Sequence, residues 1–243
     1  MPKFFIDPSQ RDGEKITVLP PDAHHIARSL RMAVGDKITV SDDTGMDYEC
    51  TLTEIRDDYA LCKILSAARG EAEPPAEITL FMAYPKADKL ETVIQKAVEL
   101  GACRIVPFES SRCIKRPKAD REEKQLARYQ RIAHEAAKQC GRSILPTVER
   151  TCSFEEAISL AARADLPLFC YEGGGESIRT LAEAKSDAKS VSIVVGSEGG
   201  FSPEEAEAAR RAGLSFATLG KRILRCETAP LFALAAISCQ FEL

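Results

Sequence analysis

Two segments of the 243-residue chain bring together residue types that could do chemistry. The first, VVGSEGGFSPEE from Val194 to Glu205, leaves an apolar strand and enters a helix through a turn with three glycines and one acid, Glu198. The second, LGKRILRCETAP from Leu219 to Pro230, sets Lys221, Arg222 and Arg225 just ahead of an almost wholly apolar helix, TAPLFALAAISC. A glycine turn at a helix start suggests a phosphate cradle, but its neighbours argue against one. The turn lacks the GK[ST] ending of a P-loop and the GxGxxG spacing of a dinucleotide fold. Ser202 is placed to cap the helix, with Pro203 at its first position. Glu204 and Glu205 already complement the positive helix end, at about 0.3–1 kcal/mol each. A phosphate would meet repulsion from them and from Glu198. Glycine still lets a backbone approach a flat ring or a ribose closely, so a neutral or cationic nucleoside-like ligand fits better than a nucleotide. Taken alone, the turn reads equally as an ordinary capped strand-to-helix connection. The cations of the second segment suggest an anionic partner beside that ligand, or else a solvated loop.

The elements that must position these segments follow from periodicity. A charged stretch with two prolines, ARGEAEPPAE from Ala68 to Glu77, reads as a linker and divides the chain into residues 1–72 and 73–243. Before it, the short runs KFFI, KITV, YECTLTEI and YALCKIL are rich in strand formers and separated by turn clusters. One helix, PPDAHHIARSLRM, is predicted among them, with Ala23, Ile26, Ala27 and Leu30 as its buried stripe. A small β-barrel with one or two helices is expected. After the linker, strands and helices alternate: ITLFMAY, DKLETVIQKAVELG, CRIVPF, a long helix from about Asp120 to Cys140, then PLFCY, VSIVV and SFATL with helices between them. Asp88 and Glu91 have capping-box spacing, and Gly101 stands where a C-terminal cap belongs. Strands apolar throughout and alternating with helices predict an α/β parallel sheet covered on both faces. In such sheets ligands sit at the carboxyl ends of strands. CYEGGGES, GSEGGFSPEE and LGKRILRCETAP all fall there.

Composition narrows the function. A net charge of −4 excludes a uniformly basic nucleic-acid binder but leaves room for basic stripes. His24, Arg28 and Arg31 would share one face of the small-domain helix, and Arg112, Lys115, Arg116, Lys118 and Arg121 form a cluster with a single acid, Asp120. Lys124, Arg128, Arg131 and Lys138 follow at helical spacing, as an RNA-tracking or simply solvated face. The nine cysteines are scattered without a CxxC pair, which suits free thiols in a reducing compartment. Three dispersed histidines give no metal-ligand spacing. The longest apolar run, Ala229 to Ile237, falls well short of the ~20 residues of a bilayer span, and MPKFFIDPSQRDG has no signal-peptide core. A cytoplasmic protein without metal or membrane partner is expected.

At GSEGGFSPEE, followed about 20 residues later by LGKRILRCETA, the chain resembles the 16S ribosomal RNA uridine-N3 methyltransferases, the ribosomal RNA small subunit methyltransferase E family of the SPOUT class. The similarity extends to KADKLETVIQKAVELG, EAAKQCGRSILP and HHIARSLRMAVGD, and so to nearly the whole chain. The resemblance implies a SPOUT-type parallel sheet with a C-terminal trefoil knot in residues 73–243, preceded by a PUA-like β-barrel domain for RNA contact in residues 1–72. It implies a homodimer that binds S-adenosylmethionine and methylates N3 of one uridine (position 1498) of 16S ribosomal RNA in the small ribosomal subunit. Related knotted enzymes acting on a tRNA ribose 2′-hydroxyl, and a non-catalytic RNA-binding assembly factor, are the rival readings.

Carried over to this sequence, the cofactor lies against Tyr171, Glu172 and Gly173 of one loop and Gly196, Ser197, Glu198, Gly199 and Gly200 of the next. The third loop supplies Leu219, Gly220, Ile223, Leu224, Arg225, Thr228 and Ala229, with backbone groups of Leu219, Gly220 and Ile223–Leu224 holding the adenine. Ser197 stands where the family usually has proline. Proline stiffens a turn by about 0.4–1 kcal/mol, so a looser loop is expected. Uridine N3 is a poor nucleophile until its proton leaves, and either a base or a cation over O2–N3–O4 must help. Arg225 is the first candidate for that cation and Arg222 the second. Glu227 is a candidate base or, alternatively, part of a structural ion pair. His24, Arg28, Arg31, Arg112, Lys115, Arg116 and Lys118 are the candidate RNA contacts.

Overall fold

Alternating apolar and polar residues in the first seventy positions give a curled six-stranded sheet. Its strands are β1 (Lys3–Phe5), β2 (Arg11–Asp12), β3 (Lys15–Val18), β4 (Lys37–Ser41), β5 (Met46–Ile55) and β6 (Ala60–Arg69), in the order β1-β4-β5-β6-β3-β2. Only β1 and β4 pair in parallel; the rest is antiparallel. The inward residues Ile16, Val18, Ile38, Val40, Cys50 and Leu52 make its core, as a period of two requires. The computed structural model describes residues 1–86, 89–114 and 122–243. They divide into two units: Met1–Glu73 with Ala137–Leu145, and Pro74–Ala136 with Pro146–Leu243.

The helix of the first unit departs from expectation. A single α-turn, α1 (Asp22–His24), runs into a wider winding over His25–Ser29, where the Leu30 N–H reaches back five residues to the His25 carbonyl at 2.9 Å. Wider winding changes the angle between successive side chains. Ala23 and Ile26 are fully buried, but Leu30 is rotated out and is 40% exposed, so the predicted stripe ends at Ile26. For the same reason His24, Arg28 and Arg31 do not share one α-helical face. Arg31 lies beyond the helix with φ 51°, and Arg28 pairs with exposed Asp57 at 3.1 Å.

The later segment of this unit is held by charge. Glu73 accepts from the nearly inaccessible guanidinium of Arg142 (Nε at 3.1 Å) and from the backbone N–H groups of Ser143 (2.7 Å) and Ile144 (3.0 Å). Lys3 donates to Asp47, to the Gly141 carbonyl and to Ser143 Oγ, and Ser41 Oγ donates to the Ser143 carbonyl at 2.8 Å.

The second unit is α/β. Its elements are β7 (Glu77–Ala83), α2 (Lys89–Glu99), β8 (Ala102–Glu109), α3 (Glu122–Cys140, its last turn in the first unit), β9 (Thr147–Val148), β10 (Cys152–Ser153) and α4 (Phe154–Ala161). They continue with β11 (Leu166–Cys170), β12 (Glu176–Ser177), α5 (Ile178–Glu183), β13 (Ser190–Val195), α6 (Pro203–Arg211), β14 (Ser215–Thr218) and α7 (Thr228–Glu242). The strands are parallel in the order β10-β8-β7-β13-β11-β14-β12, with β9 beside β8. Central β13 is buried along nearly its whole length, as a sheet covered on both faces demands. Helix α2 buries Leu90, Val93, Ile94, Ala97 and Val98 and ends at Gly101, whose φ of 89° is the left-handed cap. Asp88, expected to cap α2, lies outside the described residues.

Gly175 marks a close approach between two segments of the chain. A Cβ there would lie 2.3 Å from the Phe216 carbonyl oxygen of β14, a backbone atom that cannot swing away. Gly175→Ala is therefore expected to destabilise by about 1–3 kcal/mol. A thermal midpoint lowered by roughly 2–4 °C per kcal/mol would report it; an unchanged midpoint would mean that the loop relaxes freely.

Candidate functional site

Strands β13, β11 and β14 are neighbours in the sheet, so their carboxyl ends lie side by side. The three loops that leave them line one cavity of about 550 Å³, within the ~300–1,000 Å³ of small-ligand sites. The loop after β13 is closed by the Gly200 N–H donating to the Ser197 carbonyl at 3.0 Å, with Gly200 at φ 63°. A Cβ on Gly196 would meet Gly200 Cα and the Phe201 ring at 3.2 Å, a tight contact that the glycine avoids. Phe201 then anchors the loop in an aromatic cluster, 4.3 Å from the Phe169 ring centroid. The Ser202 cap predicted for α6 is present, as a capping box: Ser202 Oγ accepts from the Glu205 N–H at 3.2 Å and Glu205 accepts from the Ser202 N–H at 2.8 Å.

The loop after β14 presents Lys221, Arg222 and Arg225 to the cavity. The Arg225 carbonyl accepts from the N–H groups of Thr228 (2.8 Å) and Ala229 (2.9 Å), which fixes its backbone to the start of α7. Its side chain, like that of Arg222, has no ion-pair partner among the described residues.

Three carboxylates line or border the same space, and their surroundings differ. Lys89, in the first turn of α2, donates to Glu198 at 3.0 Å, pairs with Glu227 at 3.0 Å and lies 3.7 Å from Cys226 Sγ. Burial pushes Glu198 up, but its own backbone N–H, Lys89 and the Lys86 N–H outweigh that and hold it below the usual carboxylate range. Glu227 is held at about 2, first by its own backbone N–H and then by Lys89. Of the two roles open for Glu227, the ion pair with Lys89 is formed here. Glu172 differs again. It is exposed, lines the cavity close above Gly200, and has no hydrogen-bond or ion-pair partner among the described residues.

Of the residues carried over for a cofactor, all line the cavity except Gly173, Gly199 and Thr228. Gly173 backs onto the Tyr171 ring, and Gly199 backs onto Arg112, whose Nη1 donates to the Gly199 carbonyl at 3.0 Å. Arg112 is thus held against the glycine loop. His24, Arg28 and Arg31 are exposed on the first unit, while Lys115, Arg116 and Lys118 lie outside the described residues. The residue that sequence reasoning passed over is Lys89. Its one signal is a lysine in the first turn of a helix, where the dipole disfavours a cation.

The cavity suits a small amphipathic ligand. Ser197 is 7% exposed, and its hydroxyl is buried with no hydrogen-bond partner, a donor and acceptor left for something else. Uncommitted charge of both signs, Glu172 against the three cations, adds to it. Among the described residues no group of three or more His, Cys, Asp or Glu could hold a metal ion, and no helix is long and apolar enough to cross a membrane.

Comparison with known proteins adds to this geometry. The family description RNA methyltransferase domain matches residues 72–238, and RNA methyltransferase PUA domain matches residues 20–65. The chain is 32% identical over 251 residues to a ribosomal RNA small subunit methyltransferase E of Bacillus subtilis, covering 100% of this chain and 98% of that one. It is 29% identical over 242 residues to the protein of the same name from Synechocystis, covering 99% and 78%. Among solved structures, a ribosomal RNA small subunit methyltransferase E from Neisseria gonorrhoeae bound to S-adenosyl methionine superposes with a TM-score of 0.85 at 32% identity, covering 98% and 97%.

Proposed function

This chain belongs to the ribosomal RNA small subunit methyltransferase E family of RNA methyltransferases, and from that premise we propose that its cavity binds S-adenosylmethionine and methylates N3 of one uridine of 16S ribosomal RNA. The observation that carries the reading is the cavity itself: three loops at strand carboxyl ends, glycine-floored, with an orphaned Ser197 hydroxyl and an uncommitted Glu172. Both suit a nucleoside with a cationic tail. When bound, that cofactor supplies an electrophilic methyl group that needs no covalent help from the protein.

The chain's own residues then have two tasks. The loops must hold uridine in line with the methyl group, a contribution that reaches about 7–11 kcal/mol in ideal cases. A cation must stabilise the anion that forms across O2–N3–O4 as the N3 proton leaves. Arg225 suits the second task, being cavity-lining, fixed through its backbone and without an ion pair among the described residues; Arg222 is the second choice. Glu227 is the candidate acceptor for the N3 proton, or else stays paired with Lys89.

The same reading assigns residues 1–72 to RNA contact, with His24, Arg28, Arg31 and Arg112 as phosphate-directed cations, and residues 73–243 to a knotted catalytic domain in a cytoplasmic homodimer. Exposed apolar positions on α7 support the dimer: Phe232 is 42% exposed on a helix with almost no polar face.

The test is methyl transfer from labelled S-adenosylmethionine to small ribosomal subunits lacking the modification, followed by digestion to nucleosides. Label in 3-methyluridine is the expected result. Label in a 2′-O-methylated nucleoside, or cofactor binding without transfer, would assign another target; absence of both would remove the reading.

A further inference from the structure

The lysine at the start of α2 is unusual in what it joins. Its ammonium meets one carboxylate from the loop after β13, Glu198, and one from the loop after β14, Glu227, each at 3.0 Å. Glu198 is also gripped by the Lys86 N–H at 3.2 Å, so the β7–α2 connection holds the glycine loop at two points. Glu227 follows Arg225 by two residues, in the turn where the Arg225 carbonyl takes the first N–H groups of α7. A lysine in a first helical turn opposes the helix dipole. Two anions facing one cation offset that, and without the cation they would repel each other. No other cation among the described residues reaches either carboxylate at ion-pair distance.

We propose that Lys89 is a positioning residue for methyl transfer: its one ammonium ties the glycine loop to the arginine loop, so that the geometry of the cofactor side sets the placement of Arg225. The inference rests on the reading of the cavity as a methyl-transfer site. It adds a residue that touches neither reacting atom. Removing the ammonium releases both loops together, whereas removing either carboxylate releases one.

The test uses the full chain with Lys89→Met, Lys89→Arg, Glu227→Gln and the double variant Lys89→Met/Glu227→Gln. The first readout needs no activity: amide hydrogen exchange without cofactor. Lys89→Met should accelerate exchange in both segments, 196–201 and 219–227, while Lys89→Arg should leave both near wild type. Acceleration in neither or in only one segment overturns the tie. The second readout is kinetic. Lys89→Met should lower kcat by about 10–100-fold, the scale that a misplacement of about 1 Å reaches, with a much smaller change in cofactor affinity. Lys89→Arg should recover most of the rate, and the double variant should lose less than the product of its single losses, as coupled neighbours do. A lysine that only stabilises the fold would lower the melting temperature and leave kcat per folded molecule unchanged, which would also overturn the inference. Should wild type itself fail to transfer methyl groups, the functional reading falls, and the exchange data still judge the tie.

Discussion

Arg225→Ala is expected to lower the rate of methyl transfer by about 10²–10³-fold, the usual effect of deleting one group that stabilises developing negative charge. Cofactor affinity should change little, because the contacts carried over for the adenine come from backbone groups of the same loop and the Arg225 backbone stays tied to α7. The fold should also tolerate the change, since the side chain is exposed and leaves no buried partner behind. Single-turnover rates at saturating cofactor, set beside cofactor titrations, separate the two effects. Arg222→Ala serves as the internal comparison and should cost less. A larger loss at Arg222, or parallel losses in rate and cofactor binding at Arg225, would move the role away from Arg225.

Glu73→Ala should destabilise the first unit by about 3–5 kcal/mol, the range for breaking a buried pair from one side. The guanidinium of Arg142 is 2% exposed and would keep its charge without its carboxylate, and two backbone N–H groups would lose their acceptor. The effect depends on pH with a definite sign. Burial pushes Glu73 up, but Arg142 and the two N–H groups outweigh burial and hold it below its ordinary 4.5. A lowered folded value means that the stabilisation is complete above about pH 4.5 and fades as pH falls through the folded value. Denaturation of wild type and variant at neutral pH and again in acid would show the gap narrowing in acid. A gap that stays constant would mean that the pair is not what holds the segment.

Much of this architecture is legible in the residues because it is periodic. The apolar run of β13, the Ser202–Glu205 box and the glycine after α2 each follow from local spacing, and each is where that spacing puts it. Most of the misses have a common cause: they depend on residues far apart in sequence. Nothing in PPDAHHIARSLRM distinguishes a wide winding from an α-helix until Leu30 is seen outside the core. Lys89, Glu198 and Glu227 form one cluster from a helix start and two loops, and no window of sequence contains all three. Glu227 had two possible roles on paper, and the ion pair among them depends on a lysine more than a hundred residues away. The return of residues 137–145 to the first unit leaves no mark either, because it begins inside the last turns of an ordinary amphipathic helix.

That return has a consequence for the order of events during synthesis. Domains usually fold as they leave the ribosome, amino-terminal first. Here the opening sheet emerges long before the strip that completes it. Until residue 145 has been made, Glu73 lacks Arg142, Asp22 lacks Lys138, Ser41 lacks its carbonyl, and Lys3 keeps only Asp47 of the three partners around its nearly buried amine. The nascent amino-terminal sheet must therefore wait, partly formed, for a piece of chain encoded some seventy codons further on. A protein cut at the apparent seam near residue 73 would leave that wait unended.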